Sequence, residues 1–174
     1  MRFTQIIFIL LLNACTTAQA QASADIIKTI RKDFQAINSD STLKKISLEN
    51  EEFLENMTDG GGELTGFFIK DSIVKIVEWI EISYGNRTRE FYFKNGKLFF
   101  VYEKFDSFIL NKAKDGLDLT KTKTSFEGRY YFNNKKLIAK KITAKRPFEN
   151  NSGDISNELL KAASENIKLL TKKK

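Results

Sequence analysis

Three glutamates on neighbouring predicted strands are the residues best placed to do chemistry. Glu81, Glu90 and Glu103 lie between residues 61 and 105, where aromatic and β-branched residues recur at nearly every second position. Carboxylates brought together across a sheet could act as the acid and base of glycoside hydrolysis, or could hold a hard cation such as Ca²⁺ through their oxygens. Solvated or ion-paired surface carboxylates are the interpretation that we favour. We therefore assign no catalytic residue and no metal ligand.

The residue types that the chain lacks narrow the chemistry further. Histidine is absent, and the single cysteine is Cys15, close to the N-terminus. Histidine is the commonest general base near neutral pH and the commonest metal ligand. Without a cysteine in the body of the chain, neither a disulfide nor a cysteine zinc site can form there. Any catalysis would rely on Asp, Glu, Lys, Tyr or Ser, and no cofactor is expected.

Positive charge exceeds negative charge, but it is spread along the chain. The sequence has 29 basic and 22 acidic residues, for a net charge of +7. Such an excess draws a protein toward anionic surfaces, so a peripheral binder of anionic polymer is one candidate. A dense basic run with interleaved aromatic residues, typical of nucleic-acid binding, does not occur. No specific nucleic-acid partner is expected.

The first 20 residues are typical of an export signal. Arg2 precedes the apolar run IIFILLL, and small residues at Ala18-Gln19-Ala20 offer a cleavage site. Alternatively, LNAC at residues 12–15 resembles a lipobox, so that residues 1–14 would be removed and Cys15 lipidated. Seven apolar residues are too few for a transmembrane helix, which needs about 20. We expect a periplasmic or extracellular protein, or a lipoprotein anchored at Cys15, with one domain over 21–174. Membrane contact is expected only in the lipidated form.

The elements that must position the glutamates are predicted from periodicity. Apolar residues at helical spacing predict a helix over 26–37 and a C-terminal helix after Pro147. Between them, residues 43–48 are ambiguous between a strand and a helical turn, and residues 106–124 look less regular. Strands are predicted at Leu64–Lys70, Ile73–Tyr84, Arg87–Lys94 and Lys97–Phe105, with a further hairpin around Asn133-Asn134. The predicted fold is α+β, a single antiparallel β-meander of about six strands with a helix at each end.

Two-residue turns predict which residues face one another. Turns at Asp71-Ser72, Gly85-Asn86 and Asn95-Gly96 set the register. They place Leu64 opposite Trp79, Trp79 opposite Tyr92, Tyr92 opposite Phe99, Phe91 opposite Phe100, and Glu81 opposite Glu90, with Glu103 diagonal to Glu90 on the same face. The predicted core face carries Phe67, Ile69, Ile76, Ile80, Ile82, Phe91, Phe93, Leu98 and Phe100.

The aromatic row on the second face needs an explanation, because an antiparallel sheet usually leaves one face polar. The row through Trp79, Tyr92 and Phe99 is either a second packing seam or a binding surface with Trp79 and Tyr92 as anchors. The cover of a packing seam would come from the helix over 26–37, the C-terminal helix or residues 106–124. Candidate binding residues are therefore Trp79, Tyr92, Phe99, Glu81, Glu90 and Glu103.

Several segments together resemble one group of proteins. IRKDFQAIN, GGGELTGFF, VKIVEWIEISYGNRTREFYFKNGKLFFVYEKF and EGRYYFNNKKLI resemble a group of exported bacterial proteins of uncharacterised function. The resemblance covers most of residues 30–140 and implies no activity and no catalytic residues. The expected function is a non-enzymatic binding or structural protein of the cell envelope or exterior, with an envelope component or another protein as partner. The alternatives are a carboxylate-based hydrolase of an envelope polymer and a peripheral binder of anionic polymer.

Overall fold

The described chain folds into one sheet with a helix at each end. The computed structural model describes residues 23–56, 58–111, 116–147 and 153–174. The predicted signal peptide and Cys15 lie outside these residues. The sheet is antiparallel with seven strands, so the predicted α+β class is confirmed, with slightly more strands than expected. No helix in the described ranges is both long and apolar enough to cross a bilayer.

Strands follow one another across the sheet in chain order, as in a simple meander. Helix α1 covers residues 23–39. The strands are β1 Lys44–Glu49, β2 Gly62–Ile69, β3 Ser72–Ile82, β4 Gly85–Lys94, β5 Lys97–Asn111, β6 Gly116–Asn133 and β7 Lys136–Ile142, and helix α2 is Ile155–Lys173. A short 3₁₀ helix, Asn50–Glu52, follows β1. The Asp154 side chain caps α2 by accepting a hydrogen bond from the Ser156 amide at 2.9 Å.

Two segments are more regular than the sequence indicated. The ambiguous segment around residues 43–48 forms β1, which pairs with β2. The described part of residues 106–124 extends β5 and β6, which pair with each other as far as Asn111 and Gly116. This pairing satisfies the backbone of a stretch in which the apolar residues Phe108, Ile109 and Leu110 are consecutive and so show no alternation.

One of the three predicted turns is correct, and the other two are displaced. Asn95 and Gly96 have φ of 51° and 69°, and Phe93 pairs with Leu98, as a two-residue turn at Asn95-Gly96 requires. The other turns lie at residues 70–71 and 83–84. Gly85 is the first residue of β4 instead of a turn residue. A Cβ there would lie 2.4 Å from the Asp106 carbonyl oxygen, so glycine permits close contact with β5.

β-Bulges change the predicted register further. In the β4–β5 pair, Phe99 is an extra residue, so Tyr92 pairs with Phe100 and Phe91 pairs with Val101. Two consecutive phenylalanines, Phe99 and Phe100, therefore contact the same apolar cluster. The predicted placement of Phe100 on the main core face is wrong for this reason. Bulges also occur in the β2–β3 and β6–β7 pairs.

Helix α2 covers one side of the sheet, which we call the α2 face. The larger hydrophobic core lies between α2 and this face, and α2 contributes Leu159, Ala163 and Leu170 to it. The sheet contributes Leu48, Leu64, Phe68, Ile76, Phe91, Phe93, Leu98, Val101, Tyr130 and Phe132. Of the predicted core face, Ile76, Phe91, Phe93 and Leu98 are confirmed. Ile69 is 46% exposed and does not belong to it.

Helix α1 covers part of the opposite side, which we call the α1 face. Its apolar stripe packs on a smaller cluster formed by Tyr92, Phe99, Phe100 and Tyr131. The Phe34 ring lies 4.9 Å from that of Tyr92 and 5.3 Å from that of Phe100, between ring centroids. Of the three proposed covers for the second aromatic row, the helix over 26–37 is therefore the correct one. It leaves the rest of this face open.

Candidate functional site

The six predicted binding residues do not form one site. Tyr92 and Phe99 are buried beneath α1, with exposed fractions of 0% and 8%, and their ring centroids are 6.3 Å apart. Glu103 pairs with Arg89 and lies on the α2 face, where it is 1% exposed. The prediction that Glu103 shares a face with Glu90 is wrong, because Glu90 pairs with Tyr102, one residue earlier on β5.

Glu81 and Glu90 share the α1 face but are far apart along it. Glu81 pairs with Asn86, whereas Glu90 pairs with Val77. Four residues of strand separate these positions, which is roughly 13 Å. The predicted direct opposition is wrong because the turn lies at residues 83–84. In the described part of the chain, no three His, Cys, Asp or Glu side chains converge as a group able to hold a metal ion.

Trp79 also lies on the α1 face, away from Tyr92. It pairs with Glu63 and Thr88, whereas Tyr92 pairs with Lys75. Trp79 is half-buried beside a shallow groove of about 260 Å³ that Phe67 and Val77 also line. Leu64, predicted opposite Trp79, is instead fully buried on the α2 face.

A larger cleft opens where α1 stops covering the sheet. Its volume is about 660 Å³, and it lies between α1 and one row of side chains across β3 to β7. The helix contributes Ile30, Arg31, Phe34, Gln35 and Asn38; the strands contribute Lys75, Glu90, Phe100, Tyr102, Arg129, Tyr131 and Lys141. Aromatic side chains form its floor, and basic side chains stand at its edge. We call it the α1 cleft.

At one end of the α1 cleft, a hydrogen-bonded cluster fixes Glu90. The Tyr92 hydroxyl donates to the Glu90 carboxylate, and Lys75 lies 3.3 Å from the same carboxylate. Lys75 also donates to the Asn38 Oδ1 atom at 2.9 Å, which links the cluster to α1. Burial and the neighbouring Glu90 raise the pKa of Tyr92 far above its usual value. The phenol therefore remains a hydrogen-bond donor at neutral pH.

At the other end, Arg129 stacks on an aromatic ring. Its guanidinium carbon lies 5.1 Å from the centroid of the Tyr102 ring, a cation–π arrangement. The Tyr102 hydroxyl donates to Glu127 at 2.5 Å, and this hydrogen bond is the main cause that lowers the pKa of Glu127. Arg129 is 3.4 Å from the same carboxylate. Two contacts thus orient Arg129 while leaving its side chain 35% exposed.

The balance of charge in the α1 cleft is positive. Arg31, Lys75, Arg129 and Lys141 line it, against a single lining carboxylate from Glu90. Among the described residues, neither Arg31 nor Lys141 has an ion-pair partner, and both are exposed. Arg129 and Lys141 are directly paired across β6 and β7. Because Glu127 already lies 3.4 Å from Arg129, the unmatched positive charge of the cleft comes from Lys141 and Arg31, and this charge attracts an anion.

Sequence reasoning missed a second charged cluster, which lies on the α2 face. Glu78 accepts hydrogen bonds from Arg89 at 2.7 Å, Arg87 at 2.9 Å and Asn166 at 3.1 Å. Glu103 accepts from Arg146 at 2.6 and 2.8 Å. Arg146 and Arg89 both reach Glu158 on α2. We call Glu78, Arg87, Arg89, Glu103, Arg146, Glu158 and Asn166 the buried ion network.

The sequence contains a signal for this network. Glu78 alternates in step with Ile76 and Ile80, so its side chain must point toward the same side as theirs. Arg89 precedes Phe91 at the same interval, and Glu103 follows Val101 in the same way. Charged residues at apolar positions on three adjacent strands indicate partners that neutralise one another.

Comparison with known proteins adds no family to this description. Neither a protein-family model nor a curated protein nor a solved structure matches the chain. The functional argument therefore depends on the geometry of the α1 cleft.

Proposed function

We propose that this protein is a non-enzymatic binding protein of the bacterial envelope or exterior, and that its α1 cleft holds a small anionic ligand with an apolar part. One observation carries the proposal: four basic side chains surround an aromatic floor, against one lining carboxylate. Ligand sites are commonly concave, with an apolar lining and a few convergent polar groups. An aromatic acid or an aliphatic acid fits this combination.

The geometry gives less support to the two alternatives. A carboxylate-based hydrolase needs two acidic groups between about 5 and 10 Å apart across the scissile bond. Here Glu81 lies four strand residues away from Glu90 on the α1 face, and Glu103 lies on the α2 face. A binder of long anionic polymer needs a continuous basic track. Here the α1 cleft is short, and most other lysines are dispersed.

The proposed location has a test of its own. The apolar run and small residues of the first 20 positions support export. Mass spectrometry of the chain recovered from a bacterial host would find either a new N-terminus at Gln21 or a lipid-modified Cys15. An unprocessed chain retained in the cytoplasm would contradict export, without bearing on the α1 cleft.

The ligand proposal can be tested with two dyes that differ in one group. We choose 8-anilinonaphthalene-1-sulfonate and N-phenyl-1-naphthylamine, which share a ring system but differ in the sulfonate. Fluorescence titration should show the sulfonate binding at least about tenfold more tightly, a difference of 1.4 kcal/mol. The aromatic rings would contact Phe34 and Phe100, and the sulfonate would lie near Arg129 and Lys141.

Charge removal at the cleft sharpens this test. In the double variant Arg129→Met/Lys141→Met, affinity for the sulfonate should fall to that of the neutral dye, while the neutral dye binds as before. Lys140→Met is the matched control, because Lys140 adjoins Lys141 on β7 but points toward the opposite side. Equal binding of both dyes to the natural protein, or unchanged sulfonate binding in the double variant, would contradict the proposal.

A further inference from the structure

One end of the β5–β6 pair extends beyond the rest of the sheet. Pairing between β4 and β5 reaches only as far as Ser107, and pairing between β6 and β7 reaches only as far as Gly128. Beyond these points β5 and β6 pair with each other down to Asn111 and Gly116, with a register shift that leaves residues 119–121 opposite no residue of β5. The Phe108 amide also donates to the Tyr84 carbonyl at 3.1 Å. We call residues 108–111 and 116–124 the ribbon.

The ribbon carries an unusual concentration of exposed apolar side chains. Ile109 is 41% exposed, Leu110 60%, Leu117 42% and Leu119 62%. These are four of the seven large hydrophobic side chains that are exposed in the described residues. Single exposed leucines are common, but a cluster at one end of a molecule marks a contact site.

The apolar side chains point to both sides of the ribbon. Leu110 pairs directly with Leu117, and Ile109 pairs with Asp118. Because consecutive residues of a strand face opposite sides, Ile109 and Leu110 cannot contact the same flat surface. A rigid protein partner on one side would leave the other side exposed. A fluid interface that surrounds the ribbon would contact both sides.

The charges beside these residues favour an anionic interface. Asp118 is already paired with Lys121 at 3.3 Å, and Asp106 is paired with Lys104 at 2.6 Å. Lys123 is exposed and has no ion-pair partner among the described residues. The whole chain carries a net charge of +7. Lysines beside an inserted apolar segment are attracted by anionic headgroups.

We propose that the ribbon docks on an anionic lipid bilayer, with Ile109, Leu110, Leu117 and Leu119 in the headgroup region and Lys123 against the headgroups. Partial insertion of apolar side chains and attraction of basic ones are the two forces that hold peripheral proteins on membranes. This contact is independent of the α1 cleft and of any lipid at Cys15.

A tryptophan placed in the ribbon reports insertion directly. The full chain with Trp79→Phe and Leu110→Trp has one tryptophan, since the natural chain has only one. With vesicles of phosphatidylcholine and phosphatidylglycerol, its emission should shift to the blue, and brominated lipid should quench it at least twofold. Ile142→Trp in the same background is the control, because Ile142 is 46% exposed but lies outside the ribbon. Its emission should not change.

A sedimentation experiment with the same vesicles separates the alternatives. The triple variant Leu110→Ser/Leu117→Ser/Leu119→Ser should lose at least about tenfold in vesicle binding relative to the natural chain. Both proteins keep residues 1–22, so the difference reports the ribbon alone. Overturning results would be an unquenched Leu110→Trp, equal binding to purely zwitterionic vesicles, or unchanged binding of the triple variant. A dimer that dissociates in the triple variant, with no effect on vesicles, would assign the ribbon to a second copy instead.

Discussion

The two faces of the sheet differ in whether their charged side chains are buried and paired with opposite charges. On the α2 face, Glu78, Glu103 and Arg146 are at most 5% exposed, and each is bonded to an oppositely charged partner. On the α1 face, basic side chains outnumber carboxylates around the α1 cleft, and Arg31 and Lys141 remain exposed. The buried ion network contains three arginines and three glutamates, so its charges balance, whereas the α1 cleft retains unmatched charge. We infer that the first holds the fold together and the second is available to a ligand.

The largest expected effect comes from removing one arginine of the buried ion network. Arg146→Met leaves Glu103 buried without its charged partner. Breaking a buried pair in this way costs about 3–5 kcal/mol of unfolding free energy. Urea denaturation of the variant and the natural chain measures it.

The matched variant on the α1 face is Arg129→Met. Its ion pair with Glu127 is about one third exposed, so its loss should cost under about 1 kcal/mol. Equal losses in the two variants would remove the distinction between the two sides of the sheet.

Truncating a packed side chain of each helix should also cost more unfolding free energy on the α2 face than on the α1 face, with a smaller difference than for the arginines. Leu159 of α2 is fully buried in the larger core, and Leu159→Ala should cost about 3 kcal/mol through lost contacts and a cavity. Ile37 of α1 is only partly buried against the smaller cluster, and Ile37→Ala should cost about 1 kcal/mol. Thermal and urea unfolding measure both, and a larger loss at Ile37 would reverse the assignment.

Acid should weaken the buried ion network. Burial, the largest single cause, raises the pKa of Glu78, but Arg89, Arg87 and the hydrogen bond from Asn166 together outweigh it, so the net pKa lies below its ordinary 4.5. A carboxyl whose folded pKa is depressed contributes stability above the unfolded pKa and loses it as pH falls through the folded value. Unfolding free energy should therefore fall with pH below about 4.5.

The variant Glu78→Gln tests the origin of this dependence. It removes one proton-binding group from the network, so the acid-side slope of stability against pH should be shallower. Urea midpoints measured at several acidic pH values give the slope. A slope identical to that of the natural chain would mean that Glu78 does not contribute to the acid sensitivity.

A small effect is expected at a turn that belongs to neither face. Gly96 has φ of 69°, and a Cβ added there would have no neighbour within 4 Å. Gly96→Ala should therefore destabilise only through backbone strain, by about 1 kcal/mol. Urea denaturation measures the unfolding free energy of this variant. A much larger loss would mean that an added methyl group at Gly96 meets a neighbouring atom, contrary to the open space around it.

Local signals predicted the elements better than the register. Asn95-Gly96 specified its own turn, and apolar spacing specified both helices. The displaced turn before Gly85 could not be predicted from local sequence. Glycine is required at this position because the backbone lies close to Asp106 on β5, about 20 residues later in the chain. The bulge at Phe99 could not be predicted from the sequence either, because an extra residue in a strand leaves the local composition unchanged.

These register errors decided which candidate residues came together. A turn two residues earlier moved Glu90 from Glu81 to Val77. The role of α1 as the cover of Tyr92 was one of three options before the structure, and packing selected it. The α1 cleft itself is lined by residues from six elements, so no local sequence pattern indicates it.

The most direct test of the difference between the two faces is to map where an anionic probe binds. Amide chemical shifts of the ¹⁵N-labelled protein can be followed while 8-anilinonaphthalene-1-sulfonate is added. We predict that the largest changes fall on Gln35, Asn38, Tyr102 and Arg129 around the α1 cleft, with little change at Arg89 and the rest of the buried ion network. Largest changes at the network, or changes spread evenly over both faces, would contradict the account.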